Sequence, residues 1–451
     1  MSARAVVLAA GKGTRMKSKR SKVLHELCGR PMLWWVLEAL RAADVGDITV
    51  VTNPELDADP LMAGLGVRTV VQQEQLGTGH AVRIALDATE PGDGALVVAY
   101  GDMPLVDASI FQDVQAAIDP GEAIALALVT ARMPLPSSFG RIVRTGNTVD
   151  RILEAKDCTP ELLAIDEMNA GIYAYDERAL REAIPRVGSD NAQGEYYLTD
   201  TVELLIESGR RVAPVPAWDY RSVLGVNDRV ELAAARAVLN RRLCEAHMRA
   251  GVTIVDPATT YLEPGLEIAP DAVIHPNTTL CGGTRIGEST SIGPNTRVSD
   301  SVIGARCKIH DSVVASSEIA DDVHVGPFAH LRAGTVLGGN VHVGNFVETK
   351  KARLGEGVKA GHLTYLGDAT VGARTNIGAG TVTCNYDGVR KNETRIGEDA
   401  FIGTNSSLVA PITIGDGAIT GAGTVAIRDV EPGDKVVGNP ARSIAPRPAA
   451  P

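Results

Sequence analysis

The sequence predicts an α/β chain of two unlike parts joined by one long helix. An open, doubly wound sheet comes first and a β-helix follows. Three observations carry this. Apolar runs of strand length alternate with helical stretches between residues 4 and 129. The stretch 227–249 is rich in Ala, Leu and Arg and holds no Gly or Pro. From residue 252 onward, aliphatic residues return every sixth position.

Composition agrees. The 451 residues are 44% hydrophobic but only 4% aromatic, and 47 are glycine. Nineteen glycines fall in 1–250 and 28 in 251–451, so the second part is the richer. A large core normally draws on Phe, Tyr and Trp, so much of this one must be built from small aliphatics. A uniform single globule, a coiled coil, a disordered chain and collagen are all excluded. Lys+Arg number 44 and Asp+Glu 55, a net charge of −11, so no nucleic-acid partner is expected. No apolar run reaches membrane-spanning length, so no membrane insertion is expected. Six dispersed cysteines without a CxxC pair, behind an N-terminus unlike a signal peptide, predict reduced thiols and a cytoplasmic protein.

In chain order, RAVVLAA (4–10) reads as a buried strand running into a glycine loop. PMLWWVLEALRAA (31–43) reads as a helix with Pro at its start. ITVVT (48–52), VRTVVQ (67–72), ALVVAYGD (95–102) and AIALALV (123–129) read as further strands, with a helix at 77–88. Parallel strands of this kind bind ligands beyond their carboxyl ends. Three of the runs end there in polar, Gly-containing sequence, AAGKGTRM, QQEQLGTGH and YGD, so one rim is predicted to carry the chemistry. The domains are predicted at 1–226 and 250–451, with 227–249 as connector, Asn227 as N-cap and Gly251 closing the far end.

In the second part, Ile268, Ile274, Leu280, Ile286, Ile292 and Val298 keep the six-residue period, as do Ile396, Ile402, Leu408 and Ile414. One inward aliphatic per six residues stacks into a narrow prism. The Gly that usually follows is expected to permit positive φ at the turns. The phase slips near 303 and 314 and between 344 and 396 are expected to mark loops. His324 and His342 stand 18 residues apart, one full coil, and each precedes an inward aliphatic. They are expected to point outward as an exposed stacked pair. The competing reading, a histidine-held zinc, needs three converging ligands.

LAAGKGTRM (8–16) is neither a P-loop nor a GxGxxG fingerprint. Gly11 and Gly13 still admit an anion close to the backbone, and Arg15, Lys17, Lys19, Arg20 and Lys22 add positive charge. A solvated basic loop is the plain alternative.

Together with QLGTGHA (75–81), YGDMPL (100–105), FGRIVR (139–144), EMNAGIY (167–173), LGVNDR (224–229) and the hexapeptide half, this motif makes the chain resemble a known family. The family is that of the bifunctional N-acetylglucosamine-1-phosphate uridyltransferases/glucosamine-1-phosphate acetyltransferases, and the resemblance spans residues 4–435. It implies a Rossmann-like nucleotidyltransferase domain followed by a left-handed parallel β-helix. It also implies a homotrimer and a role in supplying UDP-N-acetylglucosamine for peptidoglycan and other envelope polysaccharides. The substrates implied are UTP, glucosamine-1-phosphate and acetyl-CoA. Ser21, before Lys22, departs from the family's usual Pro.

For uridylyl transfer, the resemblance assigns charge neutralisation to Arg15 and Lys22 and Mg²⁺ ligation to Asp102 and Asn227. Asn227 as a plain helix cap stays open beside this. Nucleotide and sugar contacts fall to Leu8, Ala9, Ala10, Gly11, Gln72, Gly77, Thr78, Tyr100, Gly101, Gly140, Glu154 and Asn169. For Glu154 a surface carboxylate is the alternative. For acetyl transfer, AGHLTY makes His362 the general base. Glu348 is placed to orient it. A backbone N–H in the turn Gly378-Ala379-Gly380 is a candidate oxyanion donor. Arg332, Lys350 and Lys391 would clamp the sugar phosphate, and Tyr365, Asn376 and Asn385 would hold the amino sugar. Acetyl-CoA contacts map to Ala379, Asn385, Tyr386, Thr404, Ala422 and, in a short Pro-rich tail, Arg442. Thr404 replaces the usual Ser and keeps the hydroxyl. A single-activity enzyme with an assembly β-helix and a non-catalytic scaffold are the competing classes. HLTYLGD and GTVTCNYDG speak against the first, and the glycine loop and YGD against the second.

Overall fold

The computed structural model describes residues 3–119 and 123–444. Contacts divide the chain into two units, Met1–Leu239 and Asn240–Pro451.

The first apolar run forms the strand Ala3–Leu8, paired in parallel with Val45–Thr52 on one side and Ala95–Tyr100 on the other. Successive residues of this strand feed opposite cores. Ala5 and Val7 join one apolar cluster, and Val6 and Leu8 join the other. Helices cover both faces, as a parallel sheet requires. Met32–Ala42 buries Leu33, Val36, Leu37 and Leu40, spaced along one helical stripe. Thr78–Asp87 buries Ala81, Val82, Ala85 and Leu86 against the other face.

The sheet departs from the all-parallel expectation at Glu167–Asp176 and at a hairpin that pairs with it. Glu167–Asp176 lies between Ala95–Tyr100 and Ile124–Arg132 and is antiparallel to both. After Arg132 the chain builds the hairpin Arg141–Thr145/Thr148–Leu153. It then re-enters the sheet from that same end, so the next strand must run backward.

The helix Arg229–Arg249 crosses the division between the units. Leu232, Ala235 and Leu239 pack with Met16, Leu27, Met32, Leu105 and Val226 in the first unit. Its N-cap is Asp228, not Asn227. The Asp228 carboxylate accepts from the backbone nitrogens of Val230 at 2.8 Å and Glu231 at 2.9 Å. Asn227 has its side-chain oxygen committed elsewhere. Gly251, at φ 96°, closes the helix, and its nitrogen donates to Met248 O at 3.1 Å.

The second unit is a parallel β-helix. One ladder of short strands climbs through register pairs such as His324↔His342, His342↔Lys359 and Asn376↔Phe401. The strands Glu348–Leu354 and Tyr365–Val371 run on around a corner and join the remaining faces into one sheet. The core contains Ile, Val, Leu, Ala and Cys and no aromatic residue. Each fully buried aliphatic contributes roughly 1.5–3 kcal/mol.

Two expectations change here. Most glycines after the inward aliphatic do not need positive φ; they need room. A Cβ on Gly287 would stand 2.6 Å from the Gly304 carbonyl carbon, and one on Gly378 would stand 2.6 Å from Thr404 N. Coils approach too closely there for any side chain. Most phase slips are also not loops. The step from His342 to Lys359 is one residue shorter than that from His324 to His342, a trim absorbed within the coil. The exception is the coil from Asn376 to Phe401, which is long enough to project a loop around Tyr386 and Lys391. The tail 445–451 lies outside the described residues.

Candidate functional site

In the first unit, the strand ends meet as expected at one rim. Leu8, Ala9, Ala10, Gly11, Lys22, Gln72, Gly77, Thr78, Tyr100 and Asp102 line a single cavity of about 340 Å³. A second cavity of about 510 Å³ adjoins it through Gly11 and Gln75, with Lys12, Lys19, Arg20 and Asn53 on its walls. The floor is held by backbone bonds. Gly101 N donates to Leu8 O at 2.9 Å, and Val226 N donates to Asp102 O at 2.8 Å.

Charge is concentrated at Lys22. Its ammonium donates to Asp102 Oδ2 and, at 3.2 Å, to Asn227 Oδ1. Arg15 Nη2 donates to the same Asn227 oxygen at 2.8 Å. Residues far apart in sequence thus converge on one nitrogen. Both oxygens within reach of one small cation form a hard-donor pair of the kind Mg²⁺ takes while keeping water and phosphate ligands.

The residues expected around the sugar gather on the neighbouring elements. Asn169 is buried; its nitrogen donates to Gly140 O at 2.9 Å and its amide donates to Tyr173 Oη at 2.6 Å. Glu154 accepts from Thr199 Oγ1 at 3.3 Å. Burial pushes the Glu154 carboxyl above its ordinary range, which an exposed surface carboxylate would not show. The Tyr100 phenol is pushed well up, first by burial and then by Glu154 and Asp102. Its ring packs so close to Gly171, at φ 77°, that a Cβ there would stand 2.6 Å away. Gln75 lies inside QLGTGHA, where its type alone carries no signal. It donates to Ala10 O at 2.5 Å and lines both cavities. Glu195, on the wall of the smaller cavity, carried no sequence signal.

In the second unit, His362 ends the strand Lys359–His362 and is exposed. Its Nδ1 is hydrogen-bonded to Asn345 Oδ1 on the coil below. The expected partner, Glu348, instead accepts from Arg332 Nη1 at 2.7 Å. Register explains this: Asn345 stands opposite His362, whereas Glu348 stands opposite His330 and Tyr365. Arg332, Lys350 and Lys391 lie close together. The nearness of Lys391, then of Arg332, lowers the Lys350 ammonium below its ordinary value. Gathered cations of this kind attract an anion, although Arg332 is also paired with Glu348. Asn385 is buried and donates to Asp368 Oδ2 at 2.5 Å, while exposed Tyr386 donates to Gly388 O at 2.7 Å. Asn376 shares the His362 ladder one coil further on, in register with Lys359.

Ala379, Thr404 and Ala422 occupy one corner of successive coils, since Asn405 N donates to Ala379 O at 2.7 Å and Gly423 N to Thr404 O at 2.8 Å. Arg442 lies in the final short strand, opposite Val437. His324 and His342 are both exposed, with ring centroids 6.3 Å apart. Among the described residues no group of three His, Cys, Asp or Glu converges as a metal site. None of the six cysteines is in a disulfide, and among the described residues no helix is long and apolar enough to cross a membrane.

Comparison with known proteins agrees with this layout. The MobA-like NTP transferase domain family matches residues 5–186. The GMPPB C-terminal domain matches 258–354, and the bacterial transferase hexapeptide (six repeats) matches 393–426. A "Bifunctional protein GlmU" of Trichlorobacter lovleyi is 48% identical over 95% of this chain and 94% of its own. Those of Streptomyces avermitilis and Halalkalibacterium halodurans are 45% and 46% identical, over 96% and 94% of this chain and 91% and 94% of theirs.

Proposed function

The chain belongs to the bifunctional GlmU family, and from that premise we propose that it makes UDP-N-acetylglucosamine in two steps, one in each unit. In the second unit the amine of glucosamine-1-phosphate attacks the thioester carbonyl of acetyl-CoA. His362 takes the amine proton through its ring nitrogen as the C–N bond forms, and the C–S bond breaks to release CoA. Arg332, Lys350 and Lys391 hold the sugar phosphate. Tyr365, Asn376 and Asn385 orient the amino sugar. Ala379, Tyr386, Thr404, Ala422 and Arg442 line the path of acetyl-CoA.

In the first unit a phosphate oxygen of N-acetylglucosamine-1-phosphate attacks the α-phosphorus of UTP, and pyrophosphate leaves. Both reactants are anions, so the step depends on neutralising charge. Arg15 and Lys22 supply fixed positive charge. Asp102 and Asn227 would hold Mg²⁺, whose contribution when bound is further neutralisation of the phosphates. Gly140, Glu154 and Asn169 position the sugar, and the backbone from Leu8 to Gly11 with Gln72, Gly77 and Thr78 positions the nucleotide. We further assign a homotrimer acting in the cytoplasm.

The convergence of Arg15, Lys22, Asp102 and Asn227 at the rim carries the reading of the first unit. Two assays on the purified protein test the whole: CoA release from glucosamine-1-phosphate with acetyl-CoA, and pyrophosphate release from N-acetylglucosamine-1-phosphate with UTP. Asp102→Ala is expected to abolish the second and leave the first near normal. His362→Ala is expected to slow the first by roughly 10²-fold or more. Loss of both activities in Asp102→Ala would refute separable sites.

A further inference from the structure

The histidine proposed as base has one side-chain partner, and it is an amide. His362 Nδ1 meets Asn345 Oδ1. The pairing is built into the coil. Asn345 and His362 are register partners on adjacent strands, His342–Asn345 and Lys359–His362. Gly344 and Gly361 bring the two rungs together, because a Cβ on Gly344 would collide with Gly361 O. On the next residue, Leu363 N donates to Asn345 O at 3.0 Å, and Thr364 Oγ1 donates to His362 O at 2.7 Å. Both backbones are thus fixed before the side chains meet.

An amide oxygen can only accept. Facing Nδ1, it requires the proton to sit there, which leaves the Nε2 lone pair free on the exposed side of the ring. Being neutral, it also does not stabilise the imidazolium as a carboxylate would. A base that must start neutral to take a proton from an amine gains from both properties. The charged or titratable groups on the packed elements are His342, on the strand of Asn345, and Lys359, on the strand of His362. The strand on the other side, Asn376–Ile377, brings none. Glu348, the nearby carboxylate, is engaged by Arg332.

We propose that Asn345 is the positioning residue of the acetyl-transfer base, holding His362 as the Nδ1–H tautomer with Nε2 presented to the substrate amine. The proposal rests on the reading of His362 as base. The test compares Asn345→Leu, Asn345→Asp and His362→Ala in the full chain. It uses acetyl-transfer kcat and KM across pH, imidazole nitrogen chemical shifts for the tautomer, and pyrophosphate release as a control for the other unit. In Asn345→Leu, kcat is expected to fall about 10- to 100-fold with KM little changed, and the His362 signals to become those of mixed tautomers. In Asn345→Asp, which keeps an acceptor, kcat is expected to recover in part while its acid limb moves to higher pH. Wild-type kcat and an unaltered tautomer in Asn345→Leu would overturn the proposal, as would an unmoved acid limb in Asn345→Asp. Acetyl transfer surviving in His362→Ala would instead sink the base assignment itself. The two failures are therefore distinguishable.

Discussion

Asp200 opens the helix Asp200–Glu207, where a negative charge ordinarily gains about 0.3–1 kcal/mol from the helix dipole. Burial outweighs this, and the carboxyl is pushed up to about 6, first by desolvation and then by Glu203 and Asp157. A folded-state value above the unfolded one means that the protonated form is the one folding favours. Its stabilising contribution is fully present below about pH 4 and is lost as pH rises through 6. Asp200→Asn is therefore expected to melt at a higher temperature than wild type at neutral pH and to converge with it near pH 4. A lower Tm at neutral pH would show that the charge is compensated in the fold. Sequence reading names candidate site residues more readily than the partners those residues bond. Chemical preference pairs a carboxylate with an imidazole, which favours Glu348 for His362. The register of a shortened coil decides otherwise and places Asn345 there. A one-residue trim is visible in the sequence only as a slip, with nothing to say which rungs it aligns.

At the scale of elements, the start of the helix Arg229–Arg249 separates two roles that the sequence leaves merged. Asp228 caps the helix, while Asn227 gives its oxygen to Arg15 and Lys22. Asp228→Ala is expected to cost about 1 kcal/mol of stability and to leave uridylyl transfer per folded molecule unchanged. Asn227→Ala is expected to do the reverse, with weaker Mn²⁺ binding in place of Mg²⁺ read directly by titration. Equal loss of stability in both would return the cap to Asn227. The β-helix was legible in outline because its period is a hard constraint: one aliphatic in six must face the prism. Its second constraint went unread. Two residues before the inward aliphatic stands a buried Ser or Thr, as at Thr284, Thr290 and Thr296. Thr284 Oγ1, for example, donates to Cys281 O at 2.7 Å. The hydroxyl adds a second donor at the corner, since Cys281 O also accepts from Asp300 N at 3.3 Å, a contact that is local to the corner and silent in hydropathy.

The whole molecule brings the low aromatic content back with a different weight. The first unit buries Phe111, Tyr173 and Tyr175, and the aliphatic prism buries no aromatic side chain. The prism's phenylalanines are instead displayed. Phe328 and Phe346 occupy one corner of successive coils, their rings stacked with centroids 5.4 Å apart, and stand 58% and 55% exposed. Leu363, next to His362, continues the ridge at 61%, held by its backbone bond to Asn345. Each of the three adopts positive φ, a conformation costing of order 1–3 kcal/mol for such residues. An apolar ridge kept outward at that cost is the kind of surface that association covers, and here it runs to the proposed base. For the proposed trimer, light scattering is expected to give three times the 47.3 kDa chain mass. Phe346→Asp places a charge in the ridge, and the expected result is a lighter species with reduced acetyl transfer and intact uridylyl transfer. A stable monomer retaining full acetyl transfer would show that each prism completes its own site and would remove the functional argument for assembly.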